Sequence, residues 1–169
     1  HKKISPDAAV RCLQIAVDHF VDMGRLSVAA KHLKDVADVR EKEDRFADAR
    51  DAYARAAELY DGEGNASTAN SCKLKCAELA GVLEEYQSAI DLFEEVANAA
   101  AGNNLLKFSC KGYLLNAGIC RLCHQEPAGT TNAIERYEDV DPSFKGSREA
   151  KLLAQLANAA EEGDQDAFS

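Results

Sequence analysis

The 169 residues of this chain are rich in helix-forming side chains and carry excess negative charge. Only three residues are Pro and ten are Gly, 46% are apolar, and 20 basic against 29 acidic side chains give a formal net charge of −9. This balance argues against a general nucleic-acid binder, and no apolar run approaches the roughly 18 residues that span a bilayer. Six cysteines without a secretory leader favour a reducing compartment, so we expect a cytoplasmic protein that is nearly all helix.

A pattern of aromatic and small residues recurs along the chain at intervals of 40. Its two best copies are Phe46, Ala49, Tyr53, Ala56 and Tyr86, Ala89, Phe93, Val96. A weaker copy, opened by Ser5, has Ala9, Leu13 and Ala16 at positions 40 residues earlier, and a looser one follows with Ala133, 44 residues beyond Ala89. Two helix-length segments in each period of about 40 are typical of helical-hairpin solenoids. We therefore predict an all-α, right-handed α-solenoid of tetratricopeptide-like hairpins, about four in number, that forms one domain over residues 1–169.

Caps, turn residues and prolines predict where the helices begin and end. Ser5, Pro6 and Asp7 read as an N-cap, a first-turn proline and a first-turn acid. Gly and Asn residues provide the backbone freedom for turns at 61–65 and 102–104. The predicted helices are Pro6–Asp22, Leu26–Glu43, Arg45–Tyr60, Ser67–Glu84, Tyr86–Ala101, Leu105–Gln125, Thr130–Val140 and Ser143–Glu162.

The second helix of a hairpin carries small residues and thiols at helical spacing. The clearest stripes are Ala69, Cys72, Cys76, Leu79 and Cys110, Leu114, Ala117, Cys120. Such narrow stripes suit close packing, so we expect these helices to form the inner layer. The last predicted helix has Leu152, Leu153, Leu156 and Ala160 on one side, without a later segment to cover them. We therefore expect the native protein to continue past this helix.

Two constellations invite a chemical interpretation. Cys120, Cys123 and His124 match the CxxCH pattern of haem attachment, but haem-attaching proteins mature outside the cytosol and the chain has a single Met. We interpret them as core thiols near a helix end. Cys72 and Cys76 could supply half of a four-ligand zinc site, but core packing is the better interpretation. Since no phosphate loop or nucleophile–base spacing is present either, we predict no enzyme, no cofactor and no metal.

Basic residues collect on the second helices despite the acidic total. They are Arg25, Lys31 and Lys34 on the first, Lys73 and Lys75 on the next, and Lys107 and Lys111 on the third. Stacked repeats would bring them into one stripe that suits an acidic partner. Ordinary solvated lysines on a helix face explain them equally well.

Several short segments occur together in one family. They are Asp22-Met23-Gly24-Arg25, Ala29-Ala30-Lys31-His32, Leu105-Leu106-Lys107, Ser147-Arg148-Glu149 and Lys151-Leu152. In order and spacing the chain resembles the soluble NSF attachment proteins, their alpha and beta branches more than the gamma branch. The resemblance implies an adaptor, peripherally associated with membranes, that binds the assembled SNARE four-helix complex and recruits the ATPase NSF to disassemble it. A generic tetratricopeptide-like scaffold that binds a peptide or a partner's tail is the alternative.

The resemblance also implies which residues face the partner. The family's basic positions fall on Arg25, Lys31, Lys75 and Lys111, and Lys107 belongs to the same predicted stripe. Ser71 stands where the family commonly has Lys, and Lys73 is rotated by about 200° from it on a helix. The family's membrane-contacting N-terminal loop and its NSF-engaging C-terminal end have no counterpart here. We therefore expect a fragment, truncated at both ends, that cannot stimulate disassembly by itself.

Overall fold

The fold consists of α-helices joined by short turns. The structure is a computed structural model that describes residues 3–124 and 127–168, with side chains described as far as residue 163. The α-helices are α1 Pro6–Asp22, α2 Leu26–Lys42, α3 Phe46–Gly62, α4 Ala66–Val82, α5 Tyr86–Ala101, α6 Lys107–Cys123, α7 Pro127–Val140 and α8 Arg148–Phe168, with a 3-10 helix at Pro142–Phe144. The described residues form no strand. The prediction of an all-α solenoid of helical hairpins is confirmed.

The chain divides into two compact units, His1–Leu83 and Glu84–Ser169. In the first unit α1 packs on α2, α2 on α3 and α3 on α4. In the second, α5 packs on α6, while α7 and α8 pack on α6 and on each other. A single domain over both units stays a prediction.

The turns of the first unit explain the period of 40. Each of its four helices has 17 residues, and three-residue turns join them. The middle residue of each turn adopts a left-handed backbone, with φ of 73° at Gly24, 57° at Asp44 and 74° at Gly64. Helix and turn together make a half-repeat of 20 residues, so two half-repeats give the observed interval.

Small side chains let the helices of the first unit approach closely. Its core cluster consists of Val17, Ala29, Ala30, Leu33, Ala56, Ala57, Tyr60, Ala69 and Cys72. The expected stripe on α4 is buried, with Cys76 and Leu79 at most 6% exposed. In the second unit the corresponding stripe on α6, from Cys110 to Cys120, is buried as well. Both stripes therefore belong to the packed layer, as predicted.

Some predicted boundaries are wrong. α3 includes Asp61 and Gly62, so its turn is shorter than expected, and α7 begins three residues before Thr130. α6 begins at Lys107, two residues late, because the side chain of Asn103 accepts a hydrogen bond from the amide of Leu105 at 2.9 Å and prolongs the turn. The predicted end of α6 at Gln125 lies outside the described residues.

The last predicted helix, Ser143–Glu162, is wrong at both ends. Asp141 Oδ1 accepts hydrogen bonds from the amide and the hydroxyl of Ser143, at 3.0 and 2.7 Å, and so starts the 3-10 helix. The backbone then turns at Gly146 with φ of 70°. α8 begins two residues later and continues to residue 168.

The apolar side of α8 is only partly uncovered. Leu152 and Leu156 are 43% and 39% exposed, as expected for side chains without a cover. Leu153 is fully buried, which contradicts the expectation, because it packs against Gly118 of α6.

Candidate functional site

The first predicted contact, Arg25, is held over an aromatic ring at the start of α2. Its guanidinium carbon lies 5.8 Å from the ring centroid of Phe20, and Phe20 stacks on His32 at 5.5 Å with 17° between the rings. A cation over a ring face is attracted by the ring's quadrupole. Arg25 nevertheless remains exposed, so its charge is oriented and still accessible.

Lys31 lies farther along the same helix and is exposed. Within the described part of the chain its side chain takes part in no ion pair or hydrogen bond. Its charge therefore has no counter-ion among the side chains that the structure describes. Lys31 is therefore well placed to meet an external carboxylate.

The N-terminus of α2 is capped from a distance. Arg25 makes no side-chain capping bond, and Glu63, 37 residues from Leu26, takes that role. Its Oε1 accepts a hydrogen bond from the amide of Leu26 at 3.0 Å, and its Oε2 accepts one from the hydroxyl of Ser27. These bonds lower the pKa of Glu63, and the bond from the Ser27 hydroxyl has the largest effect. The anion site that a helix N-terminus offers is thus filled by a side chain of the protein.

Lys75, on α4, differs from Lys31 in being paired within the protein. Its Nζ lies 3.1 Å from Oε1 of Glu41 and 3.9 Å from Oε2 of Glu78. The ammonium also lies 5.8 Å from the ring centroid of Tyr53. The side chain of Lys75 is 40% exposed. An external partner can therefore reach this charge, but only in competition with two carboxylates.

A cavity of about 450 Å³ opens at the C-terminal half of α2, lined by Asp38, Glu41 and Lys42. The Tyr53 hydroxyl donates to Asp38 at 2.7 Å and lies 3.5 Å from Glu41. Burial, followed by this bond to Asp38, raises the pKa of Tyr53 well above its usual range, so the phenol stays protonated. The described lining of the cavity is thus charged, with two carboxylates and one ammonium.

Lys107 and Lys111 lie at the start of α6, in the second unit. Lys107 is exposed and Lys111, one turn later, is half-buried. Two apolar side chains, Leu105 and Phe108, are 90% and 92% exposed beside them. Sequence reasoning missed these two residues, although the apolar run at a helix start was visible. Because the five predicted residues divide between the units, their union in one stripe stays a prediction.

The departure at Ser71 is not offset by Lys73. Ser71 is exposed, and its hydroxyl donates to the carbonyl of Ser67 at 3.2 Å. Lys73 Nζ lies 2.8 Å from Asp61 of α3, with its side chain 18% exposed. Lys73 therefore points toward the neighbouring helix, and position 71 contributes no charge.

The thiols behave mostly as core side chains. Cys72, Cys76, Cys110 and Cys120 are buried, but Cys123 is exposed, so its interpretation as a core thiol is wrong. Burial raises the pKa of the Cys110 thiol to about 11, which keeps it protonated. In residues 3–124 and 127–168 no group of three or more His, Cys, Asp or Glu side chains is arranged to hold a metal ion.

Comparison with known proteins decides the family. A family model described as "Soluble NSF attachment protein, SNAP" matches residues 1–169. The chain belongs to the soluble NSF attachment protein family. The resemblance of its short segments is thereby confirmed.

Relatives of this SNAP-family chain come from plants, animals and fungi. It is 43% identical over 164 residues to the alpha-soluble NSF attachment protein of Vitis vinifera, covering 97% of this chain and 57% of the relative. It is 39% identical over 171 residues to the alpha-soluble NSF attachment protein of Mus musculus, covering 99% and 57%. A probable vesicular-fusion protein sec17 homolog of Schizosaccharomyces pombe is 39% identical over 170 residues, covering 100% and 59%. The chain thus spans under three fifths of the length of these relatives.

None of the helices described in this SNAP-family chain is both long and apolar enough to cross a membrane.

Proposed function

We propose that this chain is part of an adaptor that binds the assembled SNARE four-helix complex and brings the ATPase NSF to it for disassembly. The observation that carries the proposal is the surface formed by α2, where Arg25 is oriented by Phe20 and Lys31 is exposed without an ion pair in the described residues. Two accessible cations, one at the N-cap of α2 and one within the helix, on a chain of net charge −9 are suited to an acidic partner.

The mechanism is electrostatic positioning on a rigid scaffold. Within each unit the helices hold the basic side chains in place, so the chain can bind an acidic bundle without reading its detailed sequence. Charges at the rim of an interface raise the association rate and lose effect as salt screens them. The adaptor itself makes and breaks no bond.

NSF recruitment and membrane association are proposed for the whole protein. This chain spans 57% of the alpha-soluble NSF attachment protein of Vitis vinifera, so its helices represent only part of such an adaptor. We place the described unit with α2 on the SNARE-facing side. A cytoplasmic adaptor that is peripherally associated with membranes is consistent with this role.

The proposal is tested by reversing one charge. Lys31→Glu should weaken binding to an assembled SNARE complex by about tenfold at low salt, because it replaces an attraction with a repulsion. Lys151→Glu makes the same charge change on α8, at an exposed lysine outside the predicted set, and should leave the affinity unchanged. If Lys31→Glu bound as tightly as the parent chain, the assigned face would be wrong.

A further inference from the structure

Lys75 and Lys31 belong to the same predicted partner surface, but their surroundings differ. The Lys75 ammonium makes an ion pair with Glu41 at 3.1 Å and lies 3.9 Å from Glu78. Lys31 is exposed and has no ion pair among the described residues. The ammonium of Lys75 is therefore paired with carboxylates of the protein, whereas that of Lys31 has no such partner among the described residues.

The pair is held in position by the packing beneath it. Tyr53 is 3% exposed, its ring lies under the Lys75 ammonium, and its hydroxyl contacts Asp38 and Glu41 on α2. Glu41 has 32% of its side chain exposed. The ion pair of Lys75 and Glu41 is thus held by Tyr53 on its buried side and is exposed to solvent on the other side. An external carboxylate can therefore replace Glu41 at the exposed side without disturbing the core.

We propose that Glu41 is a built-in competitor for Lys75, which an acidic partner must displace before Lys75 can contribute to binding. This inference rests on the proposed function, since it names a regulator of that same surface. Glu41 lowers the affinity for the partner and sets which partners can bind. It is distinct from the basic contact residues because its effect on affinity is opposite in sign.

The competition favours partners with clustered carboxylates. A partner that presents one carboxylate exchanges one ion pair of Lys75 for another and gains little, since exposed pairs are each worth little. A partner that presents two or more carboxylates at this point outcompetes Glu41. Adjacent helices of an assembled bundle can present such a cluster, whereas a separate, extended chain presents its carboxylates one at a time.

The test compares variants of the whole 169-residue chain in which one carboxylate is replaced by an uncharged amide. The probe is an assembled SNARE four-helix complex at low salt. Glu41→Gln should bind about threefold to tenfold more tightly than the parent, because Lys75 loses its nearer carboxylate and keeps only the weaker contact with Glu78, while the shape of the side chain at position 41 is kept. Glu58→Gln removes the same charge from an exposed position on α3 and should bind like the parent. Circular dichroism checks that each variant keeps its helix content.

A second background separates competition from a general effect of charge. In Lys75→Met, the Glu41→Gln change should bring no further gain, since the cation that it releases is absent. The inference is overturned if Glu41→Gln binds as the parent does or more weakly, if Glu58→Gln gains as much, or if the gain persists in Lys75→Met. Failure of the parent chain to bind at all would contradict the proposed function together with this inference, whereas the other results contradict the inference alone.

Discussion

Gly118 of α6 lies directly against the side chain of Leu153 of α8. A Cβ added at Gly118 would lie 2.7 Å from Cδ1 of Leu153, 3.0 Å from its Cγ and closer still to its Cδ2. Leu153 is fully buried, so its side chain has little room to move. The close approach of α6 and α8 thus requires the absence of a side chain at position 118.

We expect Gly118→Ala to lower the free energy of unfolding by about 1–3 kcal/mol, which is the usual cost of overpacking a core. Gly112, on the same helix, is exposed and has no atom within 4 Å of an added Cβ. Gly112→Ala should therefore raise the stability by up to about 1 kcal/mol through helix propensity. Urea denaturation of both variants measures the difference, and equal effects of the two substitutions would contradict the packing.

A second prediction concerns the carboxylate of Glu94, which joins α5 to α6 and α7. Its Oε1 accepts hydrogen bonds from the Tyr137 hydroxyl at 2.7 Å and from Arg121 Nη2 at 2.6 Å. Burial disfavours the charge of Arg121, but the bonds to Glu94 and Tyr137 outweigh it and raise its pKa. Glu94→Ala leaves both donors without this acceptor and should destabilise the chain by about 2–3 kcal/mol.

The control for Glu94 is Glu135→Ala on α7, where the side chain is exposed and the change should stay within about 0.5 kcal/mol. Tyr137→Phe removes two hydrogen bonds, the one that its hydroxyl donates to Glu94 and the one that it accepts from Arg121 Nε, and should cost about 1–3 kcal/mol. A loss in Glu94→Ala no larger than that in Glu135→Ala would show that the three side chains do not act together.

A third prediction concerns pH and the cap that Glu63 provides for α2. The pKa of Glu63 is lowered in the folded chain by its bonds to Ser27 and Leu26. A lowered pKa stabilises the fold above the unfolded-state value, and this contribution is lost as the pH falls through the folded-state value. The parent should therefore be more stable than Glu63→Gln at neutral pH, and the difference should shrink in acid.

Thermal unfolding of both chains between pH 7 and pH 3 measures this difference, with Glu58→Gln as a variant of equal charge and no capping role. If the difference in stability between the parent and Glu63→Gln stayed constant across this pH range, the carboxylate charge could not be its source.

Local patterns were sufficient to predict most of the helices. α1 and α5 agree with their predicted bounds residue for residue, because local residues mark both of their ends. α1 begins after a capping Ser at a Pro and ends near a Gly, and α5 begins at the aromatic residue of the repeat and ends before a Gly. The turn at Asp44 carried no such mark. Its left-handed φ of 57° is imposed by the repeat, which requires a turn every 20 residues whether or not a Gly is present.

The site was predicted less completely because its decisive contacts join distant parts of the chain. Glu63 lies 36 residues from Ser27 and Lys75 lies 34 residues from Glu41, so neither pairing follows from helical spacing. The sequence marked Lys31 and Lys75 as equivalent basic positions. Only the contact of Lys75 on α4 with Glu41 on α2, beside Tyr53 of α3, distinguishes the paired charge from the unpaired one.

The most direct test of the adaptor proposal compares binding of the chain to an assembled SNARE four-helix complex with binding to the same SNARE proteins kept separate. The measurement is made by titration at low and at physiological salt. We predict preference for the assembled complex, with an affinity that falls as salt rises and falls again with Lys31→Glu. Equal binding to the separate chains, or 1:1 capture of one extended segment, would contradict the proposal and favour a peptide-binding scaffold.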